Sequence, residues 1–344
     1  MLQNELTVLN GGVRMPGEFE AHAACLMAWP GNAAAWDGCV LADVQKNYVA
    51  LAKAIRQFEP VTFIVDPSAE KDARQKLGSD IEVIVLPATE AWFRDSGPSF
   101  VKQKNGELAG VSWRFNGWGG YSPDYAADTM VARKLLRSME IPLISSALAM
   151  EGGALHVDGQ GTLLTTESVV FADNRNPGIT REAAEAEFAR TLGIQKTIWL
   201  PGSHLEAGTN GHIDGIACFV EPGVILFETS ASSRPEYRAV TEKNLLALQG
   251  QTDAQGRTIE LVYVQEAPDL RWIEGQKWGY STSYVNLYLA NGAVIMPSFG
   301  IPEDAAGFAS VCAAFPGRTV VQVDISVLAA GGGGIHCVTQ QIPL

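Results

Sequence analysis

The chain has 344 residues and a formal charge of −13, from 25 Lys+Arg against 38 Asp+Glu. So acidic a protein repels phosphate backbones and attracts cations, which argues against a nucleic-acid partner. With 47% apolar and 18% charged residues, the composition also argues against disorder and against a coiled coil. No run approaches the roughly 18 apolar residues of a membrane span, and the start carries no basic segment followed by an apolar stretch. The cysteines Cys25, Cys39, Cys218, Cys312 and Cys337 are odd in number and contain no CxxC pair. Neither a disulfide framework nor a zinc site is indicated, and a reduced, cytoplasmic compartment fits.

Taken in chain order, a strand over 24–29 leads to a helix over 41–58 and a strand over 61–65. Strands over 99–103 and 108–113 flank the turn Asn105-Gly106, and a helix over 124–140 leads to a strand over 142–146. The same order returns at 154–157, 162–166, 180–192 and 196–200, with Thr180 as helix cap. It returns at 212–220, 224–228, 235–249 and 258–264, and again at 281–290, 293–296, 302–314 and 318–323. The first unit lacks a hairpin strand before its helix, and 338–342 is a strand-like tail without a partner. Pairing the two closes a ring. The expectation is an α/β fold: a five-bladed, pseudo-fivefold α/β propeller of ββαβ-type units, closed by the C-terminal strand. It forms one domain over 1–344. Two ordinary α/β domains are the alternative.

A cluster precedes each unit after the first and the closing tail. These are Trp92-Phe93-Arg94-Asp95-Ser96-Gly97-Pro98, Glu151-Gly152-Gly153, Gly208-Thr209-Asn210-Gly211-His212-Ile213-Asp214, Trp278-Gly279-Tyr280-Ser281 and Gly331-Gly332-Gly333-Gly334-Ile335-His336-Cys337. Around a fivefold axis they converge on one central pocket. The converging groups are Asp95, Glu151, Asp214, His212 and Cys337. A thiol beside a histidine is the minimal nucleophile–base pair. The glycines before Cys337 let backbone amides approach a ligand closely. His212 and Asp214, two apart on a strand, point to one face. Three buried carboxylates repel one another unless a cation compensates, and a planar guanidinium pairs with them bidentately.

Each residue alone has a plainer reading. Asp95 is an ion-pair partner for Arg94, Glu151 a turn residue and His212 a structural histidine, while Trp92 and Trp118 are packing aromatics. His22, His156, His204 and His336 carry no strong case, and Cys25, Cys39, Cys218 and Cys312 read as small core residues. The coincidence of five reactive groups at equivalent positions is what favours a site.

The sequence resembles the agmatine deiminase family, related to bacterial peptidylarginine deiminases and to arginine deiminases. The matching stretches are MPGEFEAHAACLMAWP, WFRDSGPSFV, FNGWGG, EGG, GTNGHIDG, SYVNLYLANGAVIMPSFG and GGGGIHCVTQQIP, spread over nearly the whole chain. The resemblance implies the five-bladed propeller of guanidine-modifying enzymes, the pentein fold. It implies Cys337 as nucleophile, His212 as general acid/base and Asp95 and Asp214 as the carboxylates that grip the guanidinium. Glu151 becomes the acid near the histidine and Trp92 a pocket-lining residue; Trp118 and Gly334 complete the expected substrate-binding set.

The implied reaction is hydrolysis of agmatine to N-carbamoylputrescine and ammonia through a thiouronium on Cys337. The expected partner is a small cationic guanidine, with no membrane and no metal or organic cofactor. The alternatives are a deiminase of peptidyl-arginine, arginine or a guanidino acid, an amidinotransferase, and a guanidine-binding propeller without activity. Asn210 in place of aspartate, FNGWGG in place of FNAWGG and a shorter stretch after it depart from the family pattern. These spare the catalytic set and leave open the substrate's tail and the subunit contacts of a homodimer.

Overall fold

The computed structural model describes residues 12–36, 38–206, 208–268 and 280–344. Among them the strands pair into five sheets with one shared plan. Two strands run antiparallel, and a helix then returns the chain so that a third strand lies parallel to the second.

In the second unit Ser99–Gln103 pairs antiparallel with Leu108–Ser112, and helix Val131–Ser138 leads to the parallel strand Leu143–Ser145. Gly106, at φ 85°, makes the turn between the first two. The third unit repeats this with His156–Val157, Thr162–Thr166, helix Arg181–Leu192 and Lys196–Leu200. Thr180 caps that helix by accepting from Ala183 N, and Gly193 ends it in the left-handed conformation. The fourth uses Ala217–Glu221, Val224–Thr229, helix Pro235–Leu248 and Glu260–Gln265. The fifth uses Tyr288–Ala290, Ala293–Ser298, helix Asp304–Ala314 and Thr319–Asp324.

The first unit takes its hairpin partner from the other end of the chain. Gln340–Pro343 pairs antiparallel with His22–Ala28, Gln340 opposite Leu26, and helix Leu41–Ile55 leads to the parallel strand Val61–Val65. The expected pairing of tail with first strand is therefore present. Two strands exceed the expectation: Glu82–Val85 extends the first sheet, and Val13–Arg14 covers the edge of the second.

Other expectations are corrected. No strand begins at 212: Asn210 and Gly211 are left-handed at φ 56° and 83°, His212–Asp214 enters a 3-10 turn, Ile213–Gly215, and the strand starts at Ala217. The span 281–290 forms a strand only at Tyr288–Ala290, because the amides of Tyr284 and Val285 donate to the Glu228 carboxylate. The helix over 124–140 shrinks to Val131–Ser138 behind a 3-10 turn, Asp128–Met130. Trp278 and Gly279 lie outside the described residues. Among the described residues, no helix is long and apolar enough to cross a membrane.

The first and fifth sheets are tied through the buried Glu59. Its carboxylate accepts from Tyr288 Oη at 2.5 Å and Asn291 N at 2.8 Å, with His22 Nδ1 at 3.3 Å. Asn291 in turn exchanges two hydrogen bonds with the His22 backbone, at 2.9 and 2.8 Å. Removing the carboxylate strands these donors in a dry interior. Glu59→Ala is expected to cost about 3 kcal/mol in a urea titration, and a loss below about 1 kcal/mol would contradict this tie.

Candidate active site

Four one-turn helices each sit immediately ahead of an antiparallel-paired strand: Phe93–Ser96, Gly152–Ala154, Ile213–Gly215 and His336–Val338. The first packs against the second and the fourth, and the second against the third. Residues distant in sequence thereby meet. Asp95, Glu151, His212, Asp214 and Cys337 are all buried within this cluster.

Asp95 is held by two neutral donors. Its Oδ1 accepts from Gly153 N and its Oδ2 from the Trp118 indole, both at 2.9 Å. The indole arrives on a left-handed turn in which Gly117, Trp118, Gly119 and Gly120 have φ of 65°, 55°, 72° and 82°. Three glycines around one tryptophan make such a turn accessible, and Asn116 caps it by accepting from Gly119 N at 2.8 Å.

Glu151 accepts from Arg175 Nε on both oxygens, at 2.9 and 3.0 Å, and its Oε2 lies 3.2 Å from His212 Nε2. The other arm of Arg175 donates to Gly208 O at 2.7 Å, fixing the loop that leads to His212. His212 Nδ1 is buried without a hydrogen-bond partner, 3.8 Å from Asp95 Oδ1.

Asp214 Oδ2 is shared between His336 Nδ1 at 2.9 Å and Cys337 Sγ at 3.5 Å. Cys337 Sγ also accepts from Asn286 Nδ2 at 3.2 Å, while Asn286 Oδ1 accepts from His336 N at 2.9 Å. On its far side His336 Nε2 meets Glu18 at 3.0 Å, and Glu18 accepts from Arg94 Nη1 at 3.0 Å.

These contacts set the protonation states. Burial pushes Glu151 up, but Arg175 and His212 outweigh it and hold the acid below its ordinary value. Burial likewise opposes Asp214, and His336 above all holds it low. Asp95 has no such cation. Burial raises it, His212 offsets part of this, and the charges of Asp214 and Glu151 raise it further. His212 is pulled down by burial but carried above its ordinary value by Asp95, Glu151 and Asp214. Burial, Asp214 and Asp95 drive the Cys337 thiol well above its ordinary value, against weaker opposing contributions from the Gly334 amide and Asn286.

The expected set is thus brought together, with three corrections. Glu151 is paired with the Arg175 guanidinium and Asp214 is bonded by His336, whereas Asp95 has His212 only at 3.8 Å, so Asp95 is the least compensated of the three. Cys337 is not hydrogen-bonded to His212; its polar neighbours are Asp214 and Asn286. Arg94 pairs with Glu18 rather than with its neighbour Asp95.

A cavity of about 800 Å³ opens on this cluster, and His212, Asp214, Asn286 and Cys337 are among its walls. Glu206, Glu228 and Glu266 stand elsewhere on the walls. Trp92 packs on Trp36, with ring centroids 4.9 Å apart, and against Gly333, so it shapes the site from behind. Gly334 presents its amide to the thiol, and its missing side chain makes room for Asn286.

Glu18, Arg94, Arg175, Asn286 and His336 were not anticipated. Asn286 and His336 lie inside matching stretches, SYVNLYLANG and GGGGIHC, and Glu18 inside MPGEFE. Arg175 carries no local signal. Ligand atoms of Glu18, His156 and His336 fall within 4.8 Å of one another, as in a metal site. Arg94 already answers the Glu18 charge, however, and both His336 nitrogens are engaged by carboxylates, so the cluster fits an ion network better.

An α/β scaffold presenting a thiol, a histidine and carboxylates at one cavity is the architecture of the deiminase class. The match is specific: residues 14–343 fit the Porphyromonas-type peptidyl-arginine deiminase family, and the chain belongs to that family. It is 36% identical to the agmatine deiminase of Medicago truncatula over 100% of both chains. A Streptomyces coelicolor protein provisionally named as an agmatine deiminase is 41% identical, over 96% of this chain and 98% of that one. The solved structure of the Enterococcus faecalis agmatine deiminase superposes with a TM-score of 0.90 at 32% identity, covering 98% of this chain and 99% of that one.

Gly153 offers a direct check of the geometry. A Cβ there would lie 2.6 Å from His212 Nδ1, 2.8 Å from Asp95 Oδ1 and 2.9 Å from Asp214 Oδ2, in the space on which the three converge. Gly153→Ala is expected to lower guanidine turnover by about 100-fold, because displacements near 1 Å at such a site cost that much. Circular dichroism should show the fold retained; full turnover in the variant would place the reaction elsewhere.

Proposed function

We propose that this chain is an agmatine deiminase, hydrolysing the guanidinium of agmatine to N-carbamoylputrescine and ammonia. One observation carries the reading: a single cavity has Cys337 and His212 on its walls, together with an excess of carboxylates. Such a cavity suits a ligand with a guanidinium at one end and a second cation at the other. Among the described residues Arg234 also lines it, but that guanidinium is held by Glu236 at 2.9 Å and lies over the Tyr237 ring at 4.8 Å. A clamp for the α-carboxylate of arginine is therefore not favoured.

In this reading Asp95 and Asp214 fix the guanidinium, and its charge offsets the carboxylates that keep Cys337 protonated. The thiol proton leaves to solvent as the cation takes its place. The Cys337 thiolate attacks the guanidinium carbon and forms the C–S bond. The His212 imidazolium gives its proton to the departing nitrogen, the C–N bond breaks and ammonia leaves, with a thiouronium on Cys337. Neutral His212 then takes one proton from water as the oxygen adds to carbon. The C–S bond breaks, a second proton goes to solvent, and the ureido product departs. Glu151, locked by Arg175, orients His212 through Nε2 and leaves Nδ1 for the reacting groups.

We further read the five sheets as blades of a closed propeller forming one catalytic domain over 1–344. The pairing of Gln340–Pro343 with His22–Ala28 and the packing of the one-turn helices support this. A cytoplasmic site of action goes with the five free thiols.

Purified protein given agmatine, arginine, arginine peptides and guanidinobutyrate separately should release ammonia with agmatine and form its ureido product. Cys337→Ala should abolish this, and turnover surviving that change would rule out the mechanism. Comparable kcat/KM values for arginine and agmatine would rule out the substrate. Glu266→Gln keeps an acceptor for the Ser230 hydroxyl and the Ala231 and Ser232 amides but removes a carboxylate from the cavity wall. It should raise KM for agmatine about tenfold and leave butylguanidine, which lacks the second cation, unaffected.

A further inference from the structure

Outside the five groups given roles above lies a second buried charge network. Glu18, Arg94, His156 and His336 are each only 2% exposed. His336 bridges two carboxylates, with Nδ1 2.9 Å from Asp214 Oδ2 and Nε2 3.0 Å from Glu18 Oε1. Arg94 binds Glu18 with Nη1 at 3.0 Å and the His336 carbonyl with Nε at 3.3 Å. The His336 ring is stacked with that of His156, centroids 6.1 Å apart and planes at 26°. Phe219 N donates to His156 Nδ1, which leaves Nε2 to carry the hydrogen toward Glu18 at 3.8 Å.

With Glu18 and Asp214 both held below the ordinary carboxylate range, only one protonation state of His336 satisfies both ends of this bridge. A neutral imidazole has one N–H, so one of its two carboxylates would face a lone pair in a dry interior. An imidazolium donates to both.

We infer that His336 is a positioning residue for the reaction proposed above, resident as an imidazolium that holds Asp214 ionised and aimed at the guanidinium, with Glu18 as its anchor. The groups facing His336 are Glu18, Asp214, Arg94 and His156; those facing Asp214 are His336, Cys337, His212, Asp95 and His156. Their balance favours this state. Burial and Arg94 pull His336 down, but Glu18 and Asp214 outweigh them and raise it. Burial lowers His156 to about 4, so it stays a neutral platform. The arrangement also gives Glu18 a purpose far from the cavity: it keeps a cation beside an acid that must stay charged while it waits for substrate. Asp214 then bonds the thiol, the imidazolium and the incoming guanidinium from one small carboxylate.

Removing the imidazolium raises the Asp214 pKa. The acid then protonates sooner as pH falls, and guanidinium binding is lost with it. Agmatine affinity is to be measured calorimetrically at pH 6 and pH 8 in Cys337→Ala protein, with and without His336→Asn. The ratio of Kd at pH 6 to Kd at pH 8 should grow about tenfold in the double variant, one pK unit's worth. An unchanged ratio overturns the inference, since a merely structural loss weakens binding equally at both values. Glu18→Gln in the same background should move the ratio in the same direction, and serves if the His336 variant does not fold. Nitrogen NMR of ¹⁵N-histidine-labelled unaltered protein needs no ligand. It should show His336 protonated on both nitrogens at pH 7, and a neutral ring overturns the inference. Failure of agmatine turnover in the unaltered protein would instead count against the substrate reading and leave the NMR result standing.

Discussion

A carboxylate taken out of water loses solvation worth several kcal/mol unless a counter-charge or several donors meet it. Four carboxylates, Glu18, Asp95, Glu151 and Asp214, are buried together where the one-turn helices converge. Three have a resident cationic partner: Arg94 for Glu18, Arg175 for Glu151 and His336 for Asp214. Among the described residues Asp95 has an amide, an indole and a histidine 3.8 Å away. Among these four, Asp95 is the acid whose charge is least compensated, and it faces both Asp214 and the thiol. An arriving guanidinium supplies the missing charge, so the electrostatic need of the fold and the binding preference of the site are one thing.

The same deficit governs the nucleophile. Burial, Asp214 and Asp95 all keep Cys337 a thiol at rest. A buried thiolate without a nearby cation would be both unstable and reactive toward unwanted oxidants. Asn286 and the Gly334 amide point hydrogen-bond donors at sulfur without adding charge, so they orient it while leaving ionisation to the ligand. Reactivity is then coupled to occupancy through geometry alone. The supporting residues sit on short turns ahead of paired strands, which fixes them more tightly than free loops could.

Much of this arrangement was legible in the sequence, because its signals are local. The Asn-Gly turn, the capped helix at Thr180 and the alternation of hairpin and helix repeat, and the unpaired tail has a matching gap at 24–29. What failed depended on backbone conformation or on partners far away. Strand-like residues at 212–216 cannot pair after the left-handed Asn210 and Gly211. Arg175 sits in a connecting segment with no motif, and only its contact with Glu151 reveals its place. His336 is adjacent to the expected nucleophile, yet its importance lies in Asp214 and Glu18, 122 and 318 positions away. Charge compensation of this kind is a property of the folded interior, and a single sequence shows only the charges.

The FNGWGG stretch shows how a departure in sequence can serve the same centre. Gly117 is the position at which FNGWGG departs from the FNAWGG that the resemblance implies. Its φ is 65°, and a Cβ there would lie 2.5 Å from the Tyr125 ring and 2.7 Å from Ser122 O. Glycine is therefore coupled to the short segment that follows, which folds back over the turn; Ser122 N donates to Gly117 O at 3.1 Å. Phe115 packs edge-on against both Trp118 and Tyr125, with centroids 5.1 and 6.4 Å away. The shortened segment and the glycine thus form one packing unit whose output is the direction of the Trp118 indole. Among the described residues that indole is one of two neutral donors on Asp95, the acid whose nearest cationic partner is His212 at 3.8 Å. The glycine-rich turn and its aromatic packing thereby set how Asp95 is held.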